Sequence, residues 1–288
     1  MNCSCVMCRA VILIALHVYL LPPAATHAQE PLVLGIHPYL AATEIHKRFS
    51  PLAEYLSKEL GRPVTIHIEN TYESHVNMVG TGGVDIAFMG PAPYIKLTQK
   101  YGKRPLLAAF ETKAGRTFNG VIVVRKDSPI KTLSQLRGKK VAFGPPPSTM
   151  SYLVPSFMLL EAAIDLNQLG TTDFLTNQEN IALGVLSGKY DAGALKEDVF
   201  KQYEQEGLRA LAVSDPMPDH LFVARAGLPE DVVRKITKSL LSLKDTEDGR
   251  RILGSLQNTL IALVPAREKD YDPLRRVLDS LARAGVNP

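Results

Sequence analysis

The sequence predicts an α/β protein of two lobes, each a mostly parallel sheet flanked by helices, with the chain crossing between them twice. Three observations lead there. Strand-like and helix-like segments alternate from residue 31 onward, the pattern of parallel strands covered on both faces. Several strand segments are short continuous apolar runs, such as DIAFM at 85–89 and GVIVVR at 120–125, as expected of buried strands. The alternation also runs through twice, and segments near 118–126 and 217–226 can serve as the crossings. The expected division is a leader over 1–28, a first lobe of 29–119 plus 222–288, and a second lobe of 120–221.

The first lobe opens with PLVLGIHP (31–38), a β-rich run stopped at a His-Pro turn signal. Ile45, Phe49, Leu52, Tyr55, Leu56 and Leu60 recur at spacings of three and four, which predicts an amphipathic helix over 42–60 closed by Gly61. PVTIHI (63–68) alternates with period two as a strand. A helix is expected over 72–79, the strand at 85–89 breaks at Gly90-Pro91, a helix follows over 93–100, and 106–110 is strand-like. In the second lobe the strand at 120–125 leads to a short helix at 133–136 and a strand KVAF at 140–143. Helices are then expected over 152–164, 177–186 and 199–205, and strands near 173–175, 190–194 and 208–213. DHLFVA (219–224) is a strand returning to the first lobe. From Pro229 helices dominate, over 229–243, 246–254 and 271–284, and should close onto the first lobe.

The leader reads as a secretory signal peptide. Arg9 is its basic residue, 10–21 an apolar run of a dozen residues, and Thr26 and Ala28 the small residues before a cleavage point. That run is short of the ~20 residues needed to span a bilayer. The three cysteines, Cys3, Cys5 and Cys8, all fall in the leader, so the exported protein is expected to have no disulfide, thiolate metal site or cysteine nucleophile. Losing Arg9 lowers the formal net charge from +4 to +3, too balanced for a nucleic-acid binder. A soluble periplasmic monomer without cofactor is expected. Enzyme signatures are missing: there is no H-E-x-x-H, G-x-S-x-G or G-x-x-x-x-G-K-[ST], and the GTGG at 80–83 precedes a strand where a phosphate loop needs a helix.

The stretch that carries chemistry is FGPPPSTMSYLVPS (143–156). Three prolines stiffen a loop that presents Ser148, Thr149 and Ser151 at a helix start, where backbone N–H groups and the helix dipole favour an anion. Small hydroxyls can approach a tetrahedral oxyanion closely and turn their O–H to fit. On these residues alone an ordinary N-cap stays open as the alternative.

KKVAFGPPPSTMSYLVPS (139–156) resembles the strand, loop and helix of the PhnD-like phosphate/phosphite/phosphonate-binding proteins of ABC transporters, whose motif runs Asp-Pro-x-Ser-Thr-Ser-Gly and then an apolar residue or two and Pro. PLVLGIHPYLAATEIHKRFSPLAEYLSKELGRPV (31–64), VDIAFMGPAPYI (84–95) and GVIVVRKDSPIKTLSQLRGKKVAFG (120–144) resemble further segments of that family, in order. The resemblance implies the two-lobed type II periplasmic-binding-protein fold, closing on a small oxyanion and delivering it to an ABC permease. The alternative is a sensing role, in which the liganded protein docks on a periplasmic domain of a histidine kinase or similar receptor.

The departures from the family pattern concern the ligand. Met150 stands where relatives have the third hydroxyl, with Ser151 after it, and Gln178 stands where they have a histidine. Lys196 follows the YDAGA strand, and His220 lies at the second crossing, where aminophosphonate binders have an acid. Fewer acids, with Lys196 and His220, favour a plain anion over a zwitterion. Tyr39 after the first strand, Tyr72 after the second and Tyr94 near the Gly90-Pro91 helix start complete the candidate contacts, Tyr94 with packing in the core as its alternative.

Overall fold

The structure, a computed structural model, describes residues 30–286. The leader expected over 1–28 lies outside the described residues. Thirteen strands and nine α-helices are assigned among those residues. The strands are β1 (Leu32–Ile36), β2 (Val64–Ile68), β3 (Ile86–Met89), β4 (Leu106–Thr112), β5 (Thr117–Phe118), β6 (Gly120–Arg125), β7 (Lys140–Phe143), β8 (Thr171–Phe174), β9 (Ala192–Lys196), β10 (Leu208–Val213), β11 (Met217–Pro218), β12 (Leu221–Ala224) and β13 (Leu260–Val264). The helices are α1 (Ala42–Leu60), α2 (Tyr72–Thr81), α3 (Pro91–Tyr101), α4 (Val154–Glu161), α5 (Gln178–Leu186), α6 (Glu197–Tyr203), α7 (Glu230–Ser242), α8 (Glu247–Leu256) and α9 (Asp272–Arg283).

Two sheets organise the chain, in the orders β13-β4-β12-β3-β1-β2 and β10-β6-β9-β7-β8. Within each, most strands run the same way. β1 pairs in parallel with β2 and β3, and β7 with β8 and β9. Besides the edge strand β13, antiparallel to β4, two strands are reversed: β12 runs antiparallel to both its neighbours in the first sheet, and β6 to both of its own in the second. These are the two strands expected next to the crossings, so their starts lie at the edge where the parallel strands end. β5 and β11 pair antiparallel, Met217 opposite Phe118, so the two crossing segments hold each other in a short ribbon. Asn119 Nδ2 donates to the Ser214 carbonyl (2.6 Å) and the Gly120 N–H to the Ser214 hydroxyl (2.9 Å), tying the same two segments again.

α1 shows why the helices form where they do. Its apolar stripe, Ile45, Phe49, Leu52, Ala53 and Leu56, is buried against the first sheet, and Gly61 ends it at φ 67°, a conformation that favours glycine. The C-terminal region differs from expectation in two ways. LIALV at 260–264 forms the edge strand β13 on β4, a segment to which the sequence reading assigns nothing. α7 and α8 pack on the first sheet's side, as expected, whereas α9 packs against α3 and α4, and its Leu274, Val277, Leu278 and Leu281 join the core around Tyr94 and Leu153.

Gly249, in the first turn of α8, sits against the backbone of the preceding turn. A Cβ there would lie 1.9 Å from the Leu243 carbonyl oxygen, and its own N–H is capped by the Thr246 hydroxyl at 3.0 Å. Helix propensity alone favours Ala over Gly by about 1 kcal/mol. The backbone overlap opposes this, and overpacking of this kind is worth about 1–3 kcal/mol. Gly249→Ala is therefore expected to lower stability by about 1–2 kcal/mol in urea unfolding, opposite in sign to the propensity effect.

Candidate functional site

The loop after β7 closes on itself before it can present anything. Three bonds fix it: Ser148 N–H to the Pro145 carbonyl (2.8 Å), Leu153 N–H to the Ser148 carbonyl (3.0 Å), and Gly144 N–H to the Ser151 carbonyl (2.9 Å). The last follows from Pro155, which has no N–H to offer the carbonyl four residues back and so leaves it for Gly144. The helix begins one turn earlier than the expected 152, as a π turn over Thr149–Leu153 running into α4. Single π turns of this kind are frequent at functional sites. Ser148 caps this turn, and the Ser151 hydroxyl donates to the Ser148 hydroxyl at 2.6 Å. Gly144 makes room for that pair, since a Cβ on it would lie 2.0 Å from Ser151 Oγ.

Across from this turn stands the start of α3. Pro91 and Pro93 carry no N–H, so within 91–93 the Ala92 amide is the donor, and it donates to the Thr149 hydroxyl at 3.3 Å. That bond joins the hydroxyl turn after β7, in the second sheet, to the loop after β3, in the first.

Around the junction lies a cavity of about 510 Å³. Ser148, Thr149, Met150, Ser151, Tyr39, Tyr72, Gln178, Lys196 and His220 all line it. One topological fact brings them together. Tyr39, Tyr72, the hydroxyl turn, Gln178 and Lys196 follow or end β1, β2, β7, β8 and β9, and ligand crevices of α/β sheets lie outside the carboxyl ends of parallel strands. His220 reaches the same edge because β12 is reversed: Leu221, just after it, pairs with Met89 at the end of β3.

Tyr94 is not brought into the cavity. It is fully buried, its ring lies edge-on to Tyr271 at 5.0 Å, and its hydroxyl donates to Glu268. Four residues into α3 it points away from the helix start, so of the two readings the core one holds. The α3 start itself is a sparse donor set, because two of its first three residues are prolines.

The remaining candidates are fixed by neighbours. The Gln178 side-chain carbonyl accepts the Lys196 backbone N–H at 2.7 Å, which leaves the amide NH₂ as its cavity-side donor. Lys196 Nζ lies 3.3 Å from Asp198 Oδ2 and 5.2 Å from the centre of the Phe118 ring. Burial pushes the Tyr39 hydroxyl up to about 12, and burial likewise raises Tyr72, so both remain protonated donors at neutral pH. His220 stacks at 5.1 Å on Phe88 and at 5.5 Å on His37.

Acids to which the sequence assigns no role are also present: Glu44, Glu179 and Asp198 line the cavity, and Asp219 lies beside His220. Asp219 is buried at 2% exposure beneath His220, and Asp198 partners Lys196. Burial raises the Asp219 carboxyl, but the Lys196 charge and the hydrogen bonds from His220 outweigh it and hold it below the usual carboxylate range. The expectation of few acids here is thus corrected: the cations of this site are accompanied by carboxylates. His37 is buried yet lines the cavity, and His75 is buried next to it with the ring centroids 6.1 Å apart; the sequence assigns neither a role. No group of three or more His, Cys, Asp or Glu among the described residues is arranged to hold a metal ion. No helix among them is long and apolar enough to cross a membrane.

Known proteins resemble this chain over most of its length. The model of the ABC transporter, phosphonate, periplasmic substrate-binding protein family matches residues 34–271. The phosphate-import protein PhnD of Mycolicibacterium smegmatis is 26% identical, over 89% of this chain and 88% of its own. The phosphonates-binding periplasmic protein of Escherichia coli is 25% identical, over 86% of this chain and 79% of its own. The structure of PhnD1 from Prochlorococcus marinus in complex with methylphosphonate shares the fold, with a TM-score of 0.78 at 21% identity, covering 88% of this chain and 98% of that one. The sensor-docking alternative finds no support among these relatives. The fold is that of type II periplasmic binding proteins, and the chain belongs to the family of periplasmic substrate-binding proteins of phosphonate ABC transporters.

Proposed function

We propose that the chain captures a small phosphoryl oxyanion, a phosphate or a phosphonate, between two lobes and hands it to an ABC permease. The lobes are those expected from the sequence: residues up to 119 with those from 222 on, and 120–221. The ribbon of β5 and β11 is their hinge. The protein acts as a monomer exported by its leader, and releases its ligand chemically unchanged.

The observation that carries this reading is the hydrogen bond from Ala92 N–H to Thr149 Oγ1, which brings the hydroxyl turn of one sheet against a helix start of the other beside a cavity lined with donors. In the liganded form Ser148, Thr149 and Ser151 turn their hydroxyls to the oxyanion. Tyr39, Tyr72 and the Gln178 amide donate from the facing walls, and Lys196 and His220 supply positive charge. Lobe closure excludes water, which strengthens each of these contacts.

Binding to the folded state alone raises the melting temperature by mass action, by the equivalent of about 2.7 kcal/mol at 100 times Kd. Inorganic phosphate, phosphite and methylphosphonate are therefore expected to shift the thermal unfolding of the purified protein at millimolar concentration. If none does, the oxyanion reading fails.

A further inference from the structure

The neighbour of His220 sets which ring nitrogen keeps its proton. Asp219 Oδ1 accepts both the His220 backbone N–H and ring Nδ1, each at 2.7 Å. The His220 carbonyl is taken by Phe110 N–H at 2.9 Å, so the residue is fixed at both backbone ends. An ionised carboxylate can only accept, so Nδ1 keeps its proton and Nε2 is the atom that gains or loses one. Nε2 lies at the cavity edge, 3.7 Å from where a Cβ on Gly90 would stand, beside the start of α3. Without its proton it presents a lone pair to the site; with it, a charged donor.

The titratable groups around the ring are few. His37 and Tyr39 face it from the loop after β1, His75 of α2 is next to His37, Lys196 and Tyr271 are near Asp219, and Lys196 lies over the Phe118 ring that also contacts His220. Burial, with the neighbouring histidines adding to it, keeps His37 neutral, and its Nδ1 is directed at the Phe88 carbonyl at 3.2 Å. Burial pushes His75 down to about 4. Lys196 keeps Asp198 as its partner. Of the three histidines, His220 has both a carboxylate partner and access to the cavity.

We infer that the Asp219–His220 pair makes this site select oxyanions that can share one proton with Nε2, phosphoryl ligands, over fully deprotonated ones such as sulfate. The inference rests on the oxyanion reading above. The shared proton comes from the imidazolium when the ligand arrives as a dianion, or from the ligand's P–OH when the imidazole is neutral. Both routes give the same complex, and no other bond changes. Phosphoryl groups lose their second proton near pH ~6, so around neutral pH they reach the site both with that proton and without it. Sulfate has no such proton and binds only the imidazolium form.

The test is titration calorimetry of the full protein with inorganic phosphate and with sulfate, in buffers of differing ionisation heat. Over the range from about pH 5 to about pH 8 sulfate affinity is expected to fall as pH rises, with proton uptake on binding, while phosphate affinity varies several-fold less. In His220→Gln, which keeps a neutral donor, sulfate binding is expected to lose both its pH dependence and its proton uptake. Equal pH dependence for the two anions in the unaltered protein overturns the inference, even if the variant fails to fold. So does phosphate binding with no sulfate binding at any pH from about 5 to about 8. Failure of both anions to bind at any pH overturns the oxyanion reading itself, a separate outcome.

Discussion

Replacing Ser148 and Thr149 together by alanine is expected to weaken phosphate binding by at least about 100-fold. A hydrogen bond to a charged group is worth about 1.5–3 kcal/mol, so losing two removes about 3–6 kcal/mol, and 1.4 kcal/mol is about a factor of ten. The same residues also have structural duties. Ser148 caps the π turn and accepts the Ser151 hydroxyl, and Thr149 accepts the Ala92 amide. Loss of the cap alone should lower stability by about 1 kcal/mol. Ser148→Asp separates the two roles. Aspartate is as good an N-cap as serine, so unfolding in urea should stay near that of the unaltered protein. Its carboxylate, however, stands where the anion must lie, and phosphate binding should still be lost. If the double alanine variant binds phosphate normally in calorimetry, the turn is a helix cap and nothing more.

The sequence carried the architecture because its signals were redundant. For α1 a stripe of apolar residues and a terminal glycine agree, and the helix spans the expected 42–60. The hydroxyl turn was legible for the same reason: prolines, small hydroxyls and an apolar run mark one point in the chain. What escaped notice had a single weak signal or none. A five-residue apolar run such as 260–264 cannot be told from part of a helix by periodicity alone. The ribbon of β5 and β11 has two residues on each side, too few for any pattern. Tyr94 follows a plausible helix start, but its direction depends on where α9 packs, and Glu268 and Tyr271 lie far along the chain. Asp219 was hidden in a different way. It adjoins His220, yet its burial and its bond to the ring depend on the reversal of β12 and on the place of Lys196, neither of which is local. The general rule is that most elements were readable from neighbours in sequence, their ends less closely, and the partners of buried charges not at all.

Acid is expected to destabilise this protein well before its carboxylates titrate, and His75 is the reason. It is wholly buried in α2, and among the described residues neither ring nitrogen has a hydrogen-bond partner. Burial pushes its pKa down to about 4, whereas an unfolded chain holds histidine near 6.5. Burial and the neighbouring histidines lower His37 in the same direction. Below pH ~6.5 the unfolded state therefore binds more protons than the folded state, so stability rises with pH and is lost as pH falls toward about 4. Each tenfold difference in proton affinity between the folded and unfolded chain is worth about 1.4 kcal/mol, so His75 alone accounts for a loss on the order of 3 kcal/mol across that window. The depressed Asp219 carboxylate acts in the same sense but lower, because its stabilisation is present above the ordinary aspartate range and disappears as pH falls below it. Urea midpoints measured between about pH 7 and pH 4.5 should drop steeply in the unaltered protein. In His75→Leu, which removes two unpartnered nitrogens from an apolar site, the slope should be shallower and the stability at neutral pH no lower. Identical slopes in the two proteins would show that the acid sensitivity arises elsewhere.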